Sequence, residues 1–266
     1  MRIYTLASGS SGNCALVSDG DCHILLDAGI SLRRIRTALG HFGLTPGDLS
    51  GVLITHEHSD HVGGLPMLAK YHDIPIFAPR TVANHLRWSL AGVEPRFYEL
   101  LPGKPTELGA FRVTAFRTPH DTPESVGYRL EGSTLAVGCC TDLGRVTDEV
   151  QDTLTGCDAA LLEANHDEDL LRDGPYPVYL KRRILSDHGH LSNAACGALA
   201  ARLAARGAQY ILLGHLSREN NRPALAQDTV RGALDAAGFP GLALEVAPPE
   251  GLCGRTLAAA RAGSEV

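Results

Sequence analysis

His56-Glu57-His58-Ser59-Asp60-His61 is the stretch that decides the fold, and it directly follows the apolar run Gly51-Val52-Leu53-Ile54-Thr55. That run predicts a buried strand, and the loops that follow such strands in α/β sheets are places where ligands bind. His56 and His58 are two residues apart, so an extended chain points both imidazoles to the same side, whereas the adjacent Asp60 and His61 point elsewhere. The spacing therefore predicts two neighbouring metal ions, one on the first pair of residues and one on the second.

Three later polar residues also follow predicted strands and supply further ligands. His120 follows a strand near Val113, Asp142 follows residues 135–140, and His215 follows residues 210–214. A carboxylate can bridge two cations, and each imidazole can complete one coordination shell. A lone His after a strand is otherwise an ordinary polar loop residue.

The composition predicts a folded protein with a hydrophobic core. Hydrophobic residues make up 44% of the 266 residues and charged residues 20%, which gives enough apolar surface for a core. A net charge of -6 argues against binding nucleic acid by bulk electrostatics and leaves room for a local basic patch. Seven cysteines without a CxxC pair argue against a disulfide framework. With no apolar run of about 18 residues, we expect a cytoplasmic protein that does not contact a membrane.

Helical and strand patterns alternate along the chain without an internal repeat. We expect one domain over residues 1–260, followed by a short tail at residues 261–266. The predicted strands are residues 3–7, 15–18, 22–26, 51–55, short segments around Phe97, Val113 and Tyr128, 135–140, 159–162, 210–213 and 242–246. The predicted helices are residues 31–40, 80–90, 192–206 and 223–237.

The HxHxDH pattern with a separate His, Asp and His resembles that of the metallo-β-lactamase-fold hydrolases, over roughly residues 1–250. The resemblance implies an αββα sandwich of two mixed β-sheets flanked by helices, with a dinuclear site at one sheet edge. The implied ligands are His56, His58, His120 and Asp142 for one ion, and Asp60, His61, Asp142 and His215 for the other.

A second set of residues resembles the catalytic segments of ribonuclease Z. Gly189-His190-Leu191-Ser192 is similar to its HxT/HxS segment, and residues 158–164 are similar to the segment whose Glu orients that histidine. The resemblance implies that His190, aligned by Glu163, assists the leaving oxygen of a phosphodiester. Without the resemblance, His190 is a polar residue at a helix N-terminus and Glu163 is a charge at a strand end.

Six segments together resemble the YycJ/WalJ family, whose bacterial members are metal-dependent 5′ to 3′ exodeoxyribonucleases. They are ASGSSGN (residues 7–13), THEHSDH (55–61), TDLG (141–144), EANHD (163–167), GHLSN (189–193) and GHLSRENN (214–221). The resemblance implies a DNA substrate, with RNA as an alternative, and an attack on phosphorus by a hydroxide that bridges two ions. Asp60 would orient that hydroxide as well as bind metal.

Several residues are candidates for holding the nucleic acid. Tyr176, Tyr179 and the basic run at residues 181–183 combine aromatic rings with positive charge, as stacking on bases and pairing with phosphates require. The loop at residues 8–13 could present N–H groups to a phosphate, although a hairpin loop explains it equally well. The substrate-binding candidates are Ser10, Asn13, Asn165, His166, Lys181, Arg182, Asn220 and Asn221.

Two other functions stay open at this point. A thioesterase or other small-ester hydrolase of the same fold would use the same metal ligands without needing His190. A DNA-binding protein with a structural metal is the third option, although structural sites are usually closed cages of four ligands. Three imidazoles on one ion suit Zn²⁺, and the carboxylates of the second site favour Mn²⁺. The sequence does not specify the oligomeric state, for which a homodimer is one option.

Overall fold

A computed structural model describes residues 1–89 and 96–258 of the chain. The strands are β1 (Arg2–Ala7), β2 (Cys14–Asp19), β3 (Cys22–Leu26), β4 (Gly51–Leu53), β5 (Ile76–Pro79), β6 (Phe97–Leu100), β7 (Thr106–Leu108), β8 (Phe111–Arg117), β9 (Val126–Glu131), β10 (Ala136–Cys140), β11 (Ala159–Glu163), β12 (Tyr210–Gly214), β13 (Ala243–Val246) and β14 (Cys253–Thr256). The helices are α1 (Leu32–Gly40), α2 (Ser59–Val62), α3 (Leu65–Tyr71), α4 (Arg80–Ser89), α5 (Asp148–Leu154), α6 (Glu168–Asp173), α7 (Val178–Ile184), α8 (Asn193–Ala204) and α9 (Pro223–Ala236).

The strands form two seven-stranded sheets of matching design. The first has the order β14-β1-β2-β3-β4-β5-β6, and the second has the order β13-β12-β11-β10-β9-β8-β7. In the first sheet β14 to β3 pair antiparallel and β3 to β6 pair parallel. In the second sheet β7 to β10 pair antiparallel and β10 to β13 pair parallel. Each sheet is therefore mixed, as the sequence predicts.

Three apolar clusters separate the layers. One lies between the sheets and contains the buried rings of Phe111 and Tyr128 together with Leu53. A second lies between the first sheet and its helices, where Ile35 and Leu39 of α1 are fully buried. The third lies between the second sheet and α8 and α9. The layers follow the order helix, sheet, sheet, helix, so the predicted αββα sandwich is confirmed.

Local sequence features explain where several helices begin. The hydroxyls of Ser31 and Ser192 accept hydrogen bonds from the first turns of α1 and α8, and Pro223 opens α9. The predicted helix at residues 80–90 corresponds to α4, and its last residue lies outside the described part of the chain, as does the predicted tail at residues 261–266. Among the helices that the structure describes, none has the length and apolar character needed to cross a membrane.

Candidate dinuclear metal centre

Three imidazoles from two segments form the first ligand cluster. His56 and His58 follow β4, with His56 Nε2 3.1 Å from His58 Nδ1. His120 follows β8, and its ring centroid lies 5.1 Å from that of His56 and 5.2 Å from that of His58. The far nitrogen of His120 is held, because Nδ1 lies 3.1 Å from the carbonyl oxygen of Gly189. One ring nitrogen from each of the three residues lies within 4.8 Å of the other two, which is close enough for a shared metal ion.

A second cluster combines one carboxylate with two imidazoles. Asp60 and His61 lie on α2, and His215 follows β12. Asp60 Oδ2 lies 3.5 Å from His61 Nε2 and 3.6 Å from His215 Nε2. The carboxylate of Asp142, which follows β10, joins the two clusters: Oδ2 lies 3.2 Å from His61 Nε2 and Oδ1 lies 3.8 Å from His120 Nε2. Asp142 is thus placed to bridge two ions.

The donor atoms fit two divalent cations. Asp142 Oδ2 and His215 Nε2 are buried and have no hydrogen-bond partner among the described residues. Buried polar atoms of this kind are rare and call for an explanation such as a bound ion. Three imidazoles on one side, and two imidazoles with a carboxylate on the other, are ligand sets that Zn²⁺ and Mn²⁺ accept. The seven residues that the sequence predicts as ligands are therefore brought together.

Glu163 connects His190 to the second cluster. Its Oε1 accepts hydrogen bonds from His190 Nδ1 at 2.8 Å and from His215 Nδ1 at 2.7 Å. Its Oε2 accepts from the backbone N–H groups of Leu143 and Leu191 at 3.1 and 3.0 Å. The carboxylate is fully buried, yet it accepts four hydrogen bonds. The sequence predicts only its contact with His190, and the contact with His215 is an addition from the structure.

Burial and neighbouring charges shift the pKa values of the site residues in different directions. Burial lowers the pKa of His56 and His120, so these two of the three imidazoles in the first cluster favour the neutral form that binds metal. Burial also disfavours the charged form of His215, but Asp142, Asp60 and Glu163 prevail and raise its pKa to about 10. Burial opposes ionisation of Glu163 as well, and its two imidazole partners nevertheless lower its pKa to about 2. The Glu163 carboxylate is therefore ionised at neutral pH.

Asp27 supports the site and was not predicted from the sequence. It follows β3, is almost completely buried, and its Oδ2 lies 2.7 Å from His61 Nδ1. Oδ1 accepts a hydrogen bond from the backbone N–H of Thr55 at 2.8 Å. Carboxylates that hold the far nitrogen of a metal-binding imidazole fix its ring and its tautomer. An acidic residue directly after a predicted strand was the available indication.

The predicted substrate-binding residues are dispersed around the site. The amide nitrogen of Asn13 lies 3.2 Å from Asp60 Oδ2 and 3.0 Å from His61 Nε2. Ser10 and Asn165 line a cavity of about 170 Å³ beside His190, together with Tyr176 and Arg183. His166, Asn220 and Asn221 are buried, whereas Lys181 is half-buried and Arg182 is exposed on α7. Asn221 donates to the backbone carbonyls of Ala164 and Asn165, so its amide joins the loop before α9 to the loop after β11.

Arg183, the last residue of the predicted basic run, lines this cavity, and so does Asp121, which was not predicted. The Arg183 guanidinium pairs with the Asp121 carboxylate, whose Oδ1 lies 3.3 Å from His120 Nε2. The basic run at residues 181–183 indicated positive charge at this place. Because residues 181–183 lie on α7, the helical turn determines that Arg183 rather than Arg182 faces the cavity. This short helix was not predicted from the sequence, so that distinction could not be made.

Comparison with known proteins identifies relatives of the chain. The family described as "Beta-lactamase superfamily domain" matches residues 23–215. Exodeoxyribonuclease YycJ of Bacillus anthracis is 35% identical over 240 residues, which are 90% of this chain and 91% of that protein. Exodeoxyribonuclease WalJ of Streptococcus pneumoniae is 35% identical over 237 residues, 87% of each chain.

Solved structures share the fold at lower sequence identity. The metallo-β-lactamase fold protein YhfI from Bacillus subtilis has a TM-score of 0.72 at 17% identity, covering 96% of this chain and all of that one. Zn²⁺-bound PqqB from Methylobacterium extorquens has a TM-score of 0.73 at 19% identity, with 97% and 100% covered. At these identities the similarity concerns the fold alone.

Proposed function

The chain belongs to the beta-lactamase superfamily of hydrolases, and we propose that it is a dinuclear metal-dependent exodeoxyribonuclease that degrades DNA from 5′ to 3′. The observation that carries the proposal is the similarity to YycJ and WalJ, which runs through nine-tenths of this chain and of the first relative. The placement of His190 supports it, because this imidazole lies at the edge of the metal ligands and is held by a buried carboxylate.

The ligands are assigned to two sites. His56, His58 and His120 would hold one ion, Asp60, His61 and His215 the other, and Asp142 would contact both. Two divalent ions at such a site supply activation of water and neutralisation of charge on a phosphodiester. We propose Mn²⁺ or Zn²⁺, since the first site is rich in imidazole and the second contains carboxylates.

His190 provides the proton that the leaving 3′ oxygen needs. Burial disfavours its charged form, but Glu163 prevails and raises the pKa of His190, so the imidazole carries a proton near neutrality. Its Nδ1 is engaged with Glu163, which directs Nε2 away from that carboxylate. His190 also lines the cavity beside the site, where the leaving nucleotide can reach it. Asp60 would orient the attacking water in addition to binding metal.

The cavity beside His190 suits a nucleotide. Ser10 and Asn165 offer hydrogen-bonding groups, the ring of Tyr176 offers a stacking surface, and Arg183, which pairs with Asp121, offers further N–H donors. Asn13 would contact the reacting phosphate, because its amide nitrogen lies against two ligands of the second site. Lys181 and Arg182 would meet the backbone farther out, and His166, Asn220 and Asn221 would support the walls. RNA is the alternative substrate.

Replacing His190 by alanine tests the function. The matched control is His188→Ala, which removes an exposed imidazole two residues away. We expect the His190 variant to retain the metal content of the wild type, measured by mass spectrometry, and to lose about 10²-fold or more in turnover. Assays with each metal use duplex DNA, single-stranded DNA and RNA, each labelled at either the 5′ or the 3′ end. They report the direction of digestion and which nucleic acid is preferred.

The same experiment separates the other functions. A thioesterase would not need His190. If the wild type hydrolysed no phosphodiester and the His190→Ala variant hydrolysed a thioester as fast as the wild type, the thioesterase function would replace our proposal. DNA binding without hydrolysis under any metal would favour the structural-metal alternative.

A further inference from the structure

A groove on the first sheet's side of the molecule has a basic rim and an apolar floor. Its volume is about 460 Å³, and it lies between α1 and the chain that precedes β14. Leu6, Ala38 and Leu252 form apolar parts of its lining. None of the residues discussed in the candidate metal centre lines this groove.

Hydrogen-bond donors follow one another along the α1 side of the groove. Arg33, Thr37 and His41 are spaced by four residues, so they lie along one face of the helix, and Arg34 lies beside the first of them. At 1.5 Å per residue the three span about 12 Å. Successive phosphates of one strand lie about twice as far apart as the 3.4 Å axial rise per nucleotide, so this length corresponds to about two or three phosphates.

The charge of the groove favours an anion, although the whole chain is acidic. Arg33 is exposed and has no ion-pair partner in the part of the chain that the structure describes. Arg34 is half-buried and faces the one carboxylate of the lining, with 3.7 Å between its Nη2 and Glu250 Oε1. Two guanidinium groups therefore stand against a single acid that is itself largely exposed.

The groove begins close to the loop that borders the metal centre. Ile30, three residues before Arg33, packs against Gly12, where an added Cβ would lie 2.7 Å from its Cγ2. The neighbouring Ser11 accepts a hydrogen bond from Arg218, which comes three residues after the ligand His215. The loop at Ser11 and Gly12 therefore contacts both Arg218 and the residue that leads into α1.

We propose that the groove lined by Arg33, Arg34, Thr37 and His41 binds the sugar–phosphate backbone of the DNA substrate beyond the active site. The inference rests on the proposed nuclease function for the identity of its ligand. It explains how an acidic protein could hold a polyanion, since the contact is local and arranged along a helix.

Equilibrium binding of a 20-base-pair duplex, measured by fluorescence anisotropy over a salt series, tests the proposal. We expect Arg33→Ala to weaken binding by about threefold to tenfold and to reduce the slope of log affinity against log salt by about 0.9. The matched control is Arg36→Ala, since Arg36 is exposed on the same helix but contacts His72 and does not line the groove. Equal affinities and slopes for the two variants would overturn the proposal.

Glu250→Gln gives an independent test with the opposite sign. This change removes the carboxylate and frees Arg34, so duplex binding should tighten by about threefold and the salt slope should become steeper. Unchanged or weaker binding would argue against the groove. A deoxynucleoside monophosphate whose binding depends on Arg33 would assign the groove to free nucleotides instead and overturn the proposal.

The outcomes remain separable from those of the nuclease test. Arg33-dependent DNA binding by a protein that hydrolyses no phosphodiester would support the groove and refute the nuclease function. If the wild type hydrolysed DNA and the Arg33 and Arg36 variants bound DNA with the same affinity, the nuclease function would be supported and the groove refuted.

Discussion

Glu163→Gln should damage metal binding as well as catalysis, which distinguishes it from the loss of His190. The wild-type carboxylate accepts hydrogen bonds from two imidazoles and two backbone N–H groups at 2.7–3.1 Å. An amide of the same shape accepts on one side only, and its NH₂ group turns donors toward the other pair. If that group faces His215 Nδ1, the imidazole favours the tautomer with its proton on Nε2, which blocks the nitrogen needed for metal.

The size of the effect follows from the number of broken hydrogen bonds. Two of the four buried donors lose their acceptor, and each costs about 1–3 kcal/mol, so unfolding of the metal-free protein should require about 2–6 kcal/mol less free energy. For a chain of this length that corresponds to a fall in Tm of roughly 10 °C. Affinity for the second ion should fall about 10- to 100-fold, because the carboxylate that orients His215 is lost.

The assay compares three variants by metal titration with a chromophoric chelator, thermal unfolding and turnover. His190→Ala should lose turnover while Glu163 still orients His215. Glu168→Gln is the control for loss of a carboxylate, because Glu168 is on the surface and pairs with Arg172. A Glu163→Gln protein with wild-type metal affinity and wild-type Tm would refute the reasoning, even if its turnover were low.

Three further predictions concern the second metal site. Asp27→Asn should lower affinity for the second ion about 10- to 100-fold in a metal titration, because an amide replaces the acceptor 2.7 Å from His61 Nδ1; unchanged affinity would contradict this. Gly29→Ala should lower both Tm and metal content, since its Cβ would lie 1.7 Å from the carbonyl oxygen of Asp60, and a wild-type melting curve would be evidence against it. Burial disfavours protonation of His61 and His215, but neighbouring carboxylates raise both pKa values, that of His215 to about 10. Metal binding at pH 7 should therefore release about two protons, and affinity should fall with decreasing pH. Calorimetry in buffers of different ionisation enthalpy measures this release, and a binding enthalpy that is the same in every buffer would contradict the prediction.

Most of the fold could be predicted where the pattern was long or sharply bounded. The inner parallel strands β11 and β12 are buried on both faces and read as continuous apolar runs. The helices predicted from Ser31 and Ser192 do begin there, because each hydroxyl caps the first turn. The short elements β5, β14 and α7 were not predicted, because four to seven residues carry too little periodicity.

Long-range contacts limited what could be predicted of the site. The ligands share a simple sequence position, after the last residue of a strand, and that position alone brings them to one edge of the sheets. The hydrogen bond from His215 to Glu163 joins residues 52 positions apart, and nothing local to either residue indicates it. The same holds for Asp27, which lies 34 positions before His61. Strand order, rather than residue type, decides these contacts.

The backbone at the site shows that the ligand positions have a structural cost. Asp27, Asp142 and His215 have φ angles of 57°, 58° and 56°, and no other described residue except glycine has a positive φ. Such conformations cost about 1–3 kcal/mol each and persist only where the surroundings fix them. The surroundings do so here, since the N–H of His215 donates to Ser8 Oγ at 2.8 Å and that of Asp27 to the carbonyl of Leu53 at 2.8 Å. Glycine would relieve the strain at each position but would remove the donor atom. The sequence retains aspartate and histidine where folding alone favours glycine. This argues that the metal centre, to which Asp142 and His215 contribute ligand atoms and Asp27 contributes support for His61, determines these three residues rather than stability.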